Sequence, residues 1–399
     1  MLWKIAWRNI IHKPLNALLC ICLLLFGVGI ISLLLIIQKG IEQKFEADLN
    51  NIDIVVGAKG SPLQLVLSAV YHIDSPTGNI KLEEAQKLMK NPMVKEAIPL
   101  AYGDSYEGHR ILGTSTAYLS KYAAEFKEGK TFAKPMEAVM GWNIAQNKSL
   151  KIGSTFYGTH GESEGGHVHD NKSYTVVGIL KRNNTILDNL VLTDLESVWH
   201  VHEKEIHEHE HHHEHAEINK EITALLITCK TKMAVLSLPR TINQKTNMQA
   251  VLPSLEINKL LHMIGIGTAT FKLIAYSIML MAGLSVFLGL YARLKERRAE
   301  LALMRSLGYS PIRLFSLLLM EGGLLALLGY GFGLLASRLG IYLINQQALQ
   351  DYNHQFEISF LAEEWKIFLL TIIIGLVAAL LPAWRAMQVD VATTLTKQA

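Results

Sequence analysis

Charge is scarce in this chain. Only 18% of its 399 residues are Asp, Glu, Lys or Arg, where a soluble domain carries roughly 25%. Half of the residues are hydrophobic and they are bunched, which excludes a fully solvated chain. Cysteine is nearly missing as well, and three thiols cannot build a disulfide framework. Cys20 and Cys22 fall inside an apolar run and are read there as small hydrophobes, while Cys229 stands alone. A P-loop is missing too. Glu128-Gly-Lys-Thr131 mimics its end, but the first glycine of the G-x-x-x-x-G-K-[ST] pattern would fall on Ala124. No nucleophile–His–acid arrangement can be placed, and no internal repeat is visible. The sequence therefore predicts no catalytic residue and no enzyme.

The apolar residues form four runs. Leu15 to Ile37 is 23 residues without a charge, Leu273 to Tyr291 is 19, Leu314 to Ser337 is 24 with Glu321 inside it, and Ile367 to Ala383 is 17. A transmembrane helix needs about 20, so four spans are expected. The first is too long for a signal-peptide core, and no small-residue cleavage site follows it. It reads as an uncleaved anchor.

Positive charge sets the orientation. Lys4, Arg8 and Lys13 precede the first run. Arg293, Lys295, Arg297, Arg298, Arg305 and Arg313 lie between the second and third, and Arg385 and Lys397 follow the fourth. Asp351, Glu357, Glu363 and Glu364 mark the remaining connection. Positive residues are held inside, so both termini are expected in the cytoplasm of a multi-pass membrane protein. The expected fold class is an α-helical membrane protein with four transmembrane helices plus a large α+β extracytoplasmic domain between helices one and two.

The expected organisation runs in order along the chain. An interfacial elbow helix covers 1–14 and a first span 15–38. The extracytoplasmic domain covers 39–252, and a stalk with the second span covers 253–292. A coupling helix over 293–312 leads to a third span over 313–337. A short extracytoplasmic loop over 338–365, a fourth span over 366–384 and a cytoplasmic tail over 385–399 complete it. Within the outer domain, Asp53–Val56, Tyr174–Leu180 and Leu190–Leu192 read as strands, and Leu82–Lys90 reads as a helix stopped by Asn91-Pro92. The stretch around Gly57-Ala-Lys-Gly60 either grips an anion or turns the chain between a strand and a helix.

Two segments carry the functional signal. Between the second and third runs, Leu301, Leu303, Met304 and Leu307 fall near helical spacing, and Arg297, Arg298 and Arg305 stay polar. Such a basic amphipathic helix is a docking surface for a soluble partner. At the N-terminus, Trp3 and Trp7 are four apart, as are Lys4 and Arg8, which reads as a helix lying in the interface.

These residues resemble the FtsX-like permease family, in particular the branch of MacB and the lipoprotein-release permeases LolC and LolE. Ala6-Trp-Arg-Asn-Ile10 looks like the family's opening elbow helix. Val139–Ala145, Leu150–Thr155 and Tyr174–Leu180 are similar to its periplasmic core domain. Arg297–Gly308 looks like its coupling-helix signature, and Pro382-Ala-Trp-Arg385 like the exit of its last span. The resemblance implies a type VII ABC transporter permease. It implies a second permease copy, as a homodimer or a paralogue heterodimer, and a cytoplasmic ABC ATPase that supplies ATP and Mg while the permease binds no cofactor directly. Arg297, Arg298, Glu300, Leu301, Met304, Arg305, Leu307 and Gly308 would couple to that ATPase. A periplasmic binding protein or lipoprotein and membrane lipid are the other partners implied; nucleic acid is not.

Two insertions depart from the family pattern. His160–Asp170 carries His160, His167 and His169. Residues 200–217 carry eight histidines, namely His200, His202, His207, His209, His211, His212, His213 and His215, with six glutamates. Imidazoles and carboxylates at this density hold divalent metals weakly and in many registers. Zinc is the first expectation, because thiolates and a methionine cluster are absent. The competing reading is a solvated insert with no ligand. Three functions follow: ATP-driven transmission linked to metal homeostasis, extraction of lipoprotein or lipid (or efflux), and a non-transporting mechanotransducer that regulates an envelope enzyme.

Glu321 sits about 12 Å along the third span from Arg313 at about 1.5 Å per residue. An intramembrane acid is costly, and a hydrogen bond between helices is the favoured reading over an ion site. Gly329 and Gly333 form a small-xxx-small pair in the same span.

Overall fold

Proline sets where the long helices begin. Pro14, Pro253 and Pro311 open helices Pro14–Leu49, Pro253–Glu296 and Pro311–Asp351. At the first helical position the missing N–H would have had no intrahelical partner anyway. The fourth long helix is Glu364–Met387. In the computed structural model, residues 2–12, 14–147, 150–159, 168–201, 220–296, 298–351, 356–357 and 359–388 are described. Two compact units are distinguished: Met1–Ile41 with Met263–Ala399, and Glu42–His262.

The first unit holds the four apolar helices, each long enough to cross a membrane. Even the shortest, 24 residues, spans about 36 Å at 1.5 Å per residue, against a hydrocarbon core of about 30 Å. Glycine lets these helices approach closely. A Cβ on Gly322 would lie 2.7 Å from both Ala379 Cβ and the Gly375 carbonyl, which locks the third span helix onto the fourth. A Cβ on Gly329 would meet Leu24 at 2.4 Å, and one on Gly333 would meet Val28 at 2.7 Å. The small-xxx-small pair therefore faces the first span helix of the same chain. Two expected boundaries shift. The segment expected as a loop from 338 is helical through Asp351, since it lacks proline and is rich in helix-forming Leu, Gln and Ala. The segment expected as a coupling helix from 293 overlaps the second span helix, which is helical through Glu296, and the described helix over Arg298–Ser306 ends short of 312.

The second unit is the α+β domain. Its strands are β1 (Ile54–Ala58), β2 (Ile80–Lys81), β3 (Val94–Tyr106), β4 (His109–Thr114), β5 (Phe126–Gly129) and β6 (Glu137–Met140). They continue with β7 (Thr155–Thr159), β8 (Val168–Leu180), β9 (Val191–Asp194), β10 (Glu221–Ile222), β11 (Ala224–Cys229) and β12 (Met248–Val251). The main sheet runs β12-β1-β11-β3-β4-β9-β6-β8-β5, and β7 pairs with β3 and β8. Among the described residues, the β4–β9 and β6–β8 pairs are parallel and the other strand pairs antiparallel. All three expected strands and the Leu82–Met89 helix are present. The P-loop mimic ends β5 at Gly129, and no helix follows it, so no phosphate cradle forms.

The segment after β1 forms a turn between a strand and a helix, one of the two readings left open above. Gly60 N–H donates to Gln249 Oε1 at 2.7 Å, and Ser61 caps helix Pro62–Tyr71 by accepting from the Gln64 amide. That helix stops at His72, which takes the left-handed conformation with φ 55°. Two tyrosines hold it there. His72 Nδ1 lies 2.6 Å from Tyr102 Oη, and Nε2 lies 2.9 Å from Tyr118 Oη. The Tyr102 hydroxyl donates to the Ser68 carbonyl, so it accepts from Nδ1–H, and Nε2 accepts from Tyr118. The imidazole is neutral, its pKa pushed down to about 3 by enclosure and by the Arg110 guanidinium, which stacks over the Tyr102 ring.

A pH dependence follows. The unfolded imidazole binds a proton below about pH 6.5 and the folded one does not, so stability falls as pH drops below that point, by at most about 1.4 kcal/mol per pH unit. Denaturant unfolding of the full chain, followed by the fluorescence of the outer unit, should show this acid sensitivity. His72→Leu should flatten the profile between about pH 6.5 and 5 while lowering stability at neutral pH.

Candidate functional site

Helix Arg298–Ser306 ends in a closed Schellman turn. Tyr309 N–H donates to the Met304 carbonyl at 3.0 Å and Gly308 N–H to the Arg305 carbonyl at 3.1 Å, with Gly308 at φ 94°. Ser310-Pro311 then starts the third span helix. The apolar stripe expected on this helix divides into two faces. Leu301 is 8% exposed and packs with Met304 into a cluster containing Leu294, Leu314, Leu317 and Leu318. Leu303 is 52% and Leu307 80% exposed. The inward face ties the helix to the bundle, and Leu303 and Leu307, four apart, point away from it. Arg305 is half-buried and Glu300 is exposed. Arg297 and the side chain of Arg298 lie outside the described residues.

Glu321 is buried, and two residues from different helices converge on it. Asn9 Nδ2 donates to Glu321 Oε1 at 2.5 Å. Arg293 Nη1 lies 3.7 Å from Glu321 Oε2, an ion pair whose side chains are 5% and 3% exposed. The elbow helix Leu2–His12, the end of the second span helix and the third span helix thus meet at one carboxylate. Ala6 and Ile10 pack on the same cluster as Leu301. A cavity of about 220 Å³ opens beside the pair, lined by Arg8, Asn9, His12, Arg293, Glu300 and Glu321 among others.

A second polar node lies elsewhere in the bundle. Arg338 grips Glu364 with both ends of its guanidinium, at 2.7 and 3.0 Å. Ser32 Oγ donates to Glu364 Oε1 at 2.5 Å, and the Leu361 amide donates to Oε2. Glu364 is fully buried. This node draws together the first, third and fourth span helices. At the exit of the fourth, Arg385 Nη1 donates to the Tyr291 hydroxyl at 2.5 Å.

Among the described residues, no group of three or more His, Cys, Asp or Glu side chains could hold a metal ion. His160, His167, His202, His207, His209, His211, His212, His213 and His215 lie outside the described residues, as does the side chain of His169. His200 is described, and its carbonyl accepts from Lys172 Nζ.

The MacB-like periplasmic core domain family matches residues 17–232, more than half of the chain. The C-terminal domain of FtsX-like permeases matches residues 272–391. The chain belongs to the MacB-like FtsX permeases. Two solved structures are similar to part of it. The periplasmic region of MacB from Actinobacillus actinomycetemcomitans is 10% identical, with a TM-score of 0.35 over 53% of this chain and 95% of that one. The extracellular domain of the noncanonic ABC-type transporter YknZ from Gram-positive bacteria is 13% identical, with a TM-score of 0.32 over 50% of this chain and 98% of that one. No curated protein sequence matches.

This MacB-like permease is a multi-pass inner-membrane protein of the ABC transporter class. The Arg338–Glu364 node was not foreseen from the sequence. The available signal was a pair of opposite charges, one just after the third apolar run and one just before the fourth.

Removing one partner of a buried ion pair strands the other. Glu321→Ala should destabilise the permease by about 3–5 kcal/mol, and Arg293→Met combined with Glu321→Leu should recover most of that loss. Unfolding midpoints of the purified full chain in a denaturing detergent series would measure both. A double variant as unstable as Glu321→Ala would show that the pair is not the source of the cost.

Proposed function

We propose that this permease passes ATP-driven motion from a cytoplasmic ABC ATPase, carried on a separate chain, to its extracytoplasmic domain. The observation that supports this reading is helix Arg298–Ser306, fixed on one face and bare on the other. Leu303 and Leu307 are the exposed apolar pair, and a cytoplasmic partner with an apolar cleft would bury them. The positive charge of this connection and of the N-terminus supports a cytoplasmic position for both. Helices Pro14–Leu49 and Pro253–Glu296 are the unbroken elements through which motion would travel. A second permease copy, as is common in the family, would cover outward apolar residues of the second span helix such as Leu273, Leu280 and Leu284.

The two leucine faces give different outcomes on substitution. Leu303→Asp with Leu307→Asp should abolish ATPase co-purification and its stimulation while leaving the unfolding midpoint of the permease unchanged. Leu301→Asp should instead unfold the end of the bundle. Full stimulation by the Leu303/Leu307 variant would place the docking face elsewhere.

A second reading adds divalent-metal capture by the insertions at 160–170 and 200–217, supported by imidazole density alone. Neutral imidazole is the ligand, so binding requires a pH above its pKa of about 6.5. Calorimetry on the full chain should show zinc binding at about pH 7.5 that largely disappears by about pH 5.5. An isotherm unchanged by deletion of 200–217 and substitution of His160, His167 and His169 would remove this reading, and with it the link to metal homeostasis.

A further inference from the structure

Arg293 is 4% exposed, and its Nε, Nη1 and Nη2 atoms have no hydrogen-bond acceptor among the described residues. The 3.7 Å approach of Nη1 to Glu321 is an electrostatic contact and too long for a hydrogen bond. A guanidinium carries five donors in a rigid fork. Burying all of them without acceptors costs the desolvation of each, so native proteins rarely leave such a group unmet. Arg293 is also among the residues that line the cavity of about 220 Å³. The cavity is therefore a place where acceptors are missing.

The other walls indicate which acceptors fit. Arg8 and His12 of the elbow helix line the cavity and are exposed, so its mouth offers a guanidinium and an imidazole above Arg293. Glu321 is already held by Asn9, and Glu300 at the rim is exposed. Leu294, Leu301, Met304, Leu317 and Leu318 are the apolar part of the lining. A tetrahedral oxyanion offers several acceptors to a guanidinium fork at once. The elbow helix also exposes Trp3 and Trp7, the residue type that settles at the headgroup level of a bilayer. That places the mouth where phosphate groups are concentrated.

We infer that this cavity is a phosphate-binding site, with Arg293 as its floor and Arg8 and His12 at its mouth, filled by the phosphate of a phospholipid headgroup or by free phosphate. Neither the ATPase partner nor a transport substrate enters the argument, so it stands apart from the function proposed above. Occupancy would fasten the elbow helix to the second span helix, because the phosphate would bridge Arg8 and His12 of the one and Arg293 of the other.

The test uses the full-length permease, purified in detergent and stripped of lipid. One arm titrates inorganic phosphate and the other a short-chain phosphatidylglycerol, with thermal unfolding and phosphorus NMR linewidth as readouts. The proteins are wild type, Arg8→Gln, and Arg293→Gln combined with Glu321→Gln, which keeps a hydrogen-bonding amide for Asn9. Wild type should bind at least one probe. Affinity should fall roughly tenfold or more in the double variant, the effect of losing a charged hydrogen bond, and by a smaller factor in Arg8→Gln. Binding of the lipid alone assigns the site to a headgroup; binding of both assigns it to phosphate in general. Equal affinity in wild type and the double variant, or no binding of either probe, overturns the proposal and leaves a water-filled cavity. Should the double variant not fold, Arg8→Gln decides, since that side chain is exposed and its loss leaves the core intact. Unchanged affinity there is equally fatal.

Discussion

A charged carboxylate inside an apolar helix bundle must be met by partners, and the membrane unit is arranged around that constraint. Among the described residues of that unit, two carboxylates are buried, Glu321 and Glu364. Each recruits residues from separate helices: Asn9 and Arg293 for one, Ser32 and Arg338 for the other. Apolar packing between helices is weakly specific in lipid, because lipid tails are as apolar as leucine. The polar nodes supply the specificity, since any other register would leave a charge unpaired.

Small residues then bring the helices close enough for those nodes to form. The Gly322–Gly375 approach sets the third span helix against the fourth, and Gly329 and Gly333 set it against Leu24 and Val28 of the first. The Glu321 node carries the elbow helix with it. The short helix after Glu296 is held to the same cluster by Leu301 and Met304. On the proposed reading, a push on Leu303 and Leu307 would therefore reach the second and third span helices together.

Much of this was legible in the sequence because its signals are local. Four apolar runs, the proline starts and the strands rich in β-branched residues depend on neighbours within a turn or two. The misses depend on distant partners. The apolar stripe of the coupling helix was read as one face because spacing cannot say which leucines meet a core. Arg338 and Glu364 were assigned to a loop because their pairing joins residues 26 apart on different helices. The neutral His72, fixed by Tyr102 and Tyr118, was invisible for the same reason. Arg293 was counted only as positive charge at a membrane edge, whereas it is buried against Glu321.

The central claim is that Glu321 fastens the elbow helix to the bundle. Hydrogen–deuterium exchange of the full-length permease, read over residues 2–12 in wild type and in Glu321→Leu, tests it most directly. The account predicts that protection of the elbow helix collapses in the variant while that of the outer α+β domain is unchanged. Equal protection of residues 2–12 in both proteins would contradict it.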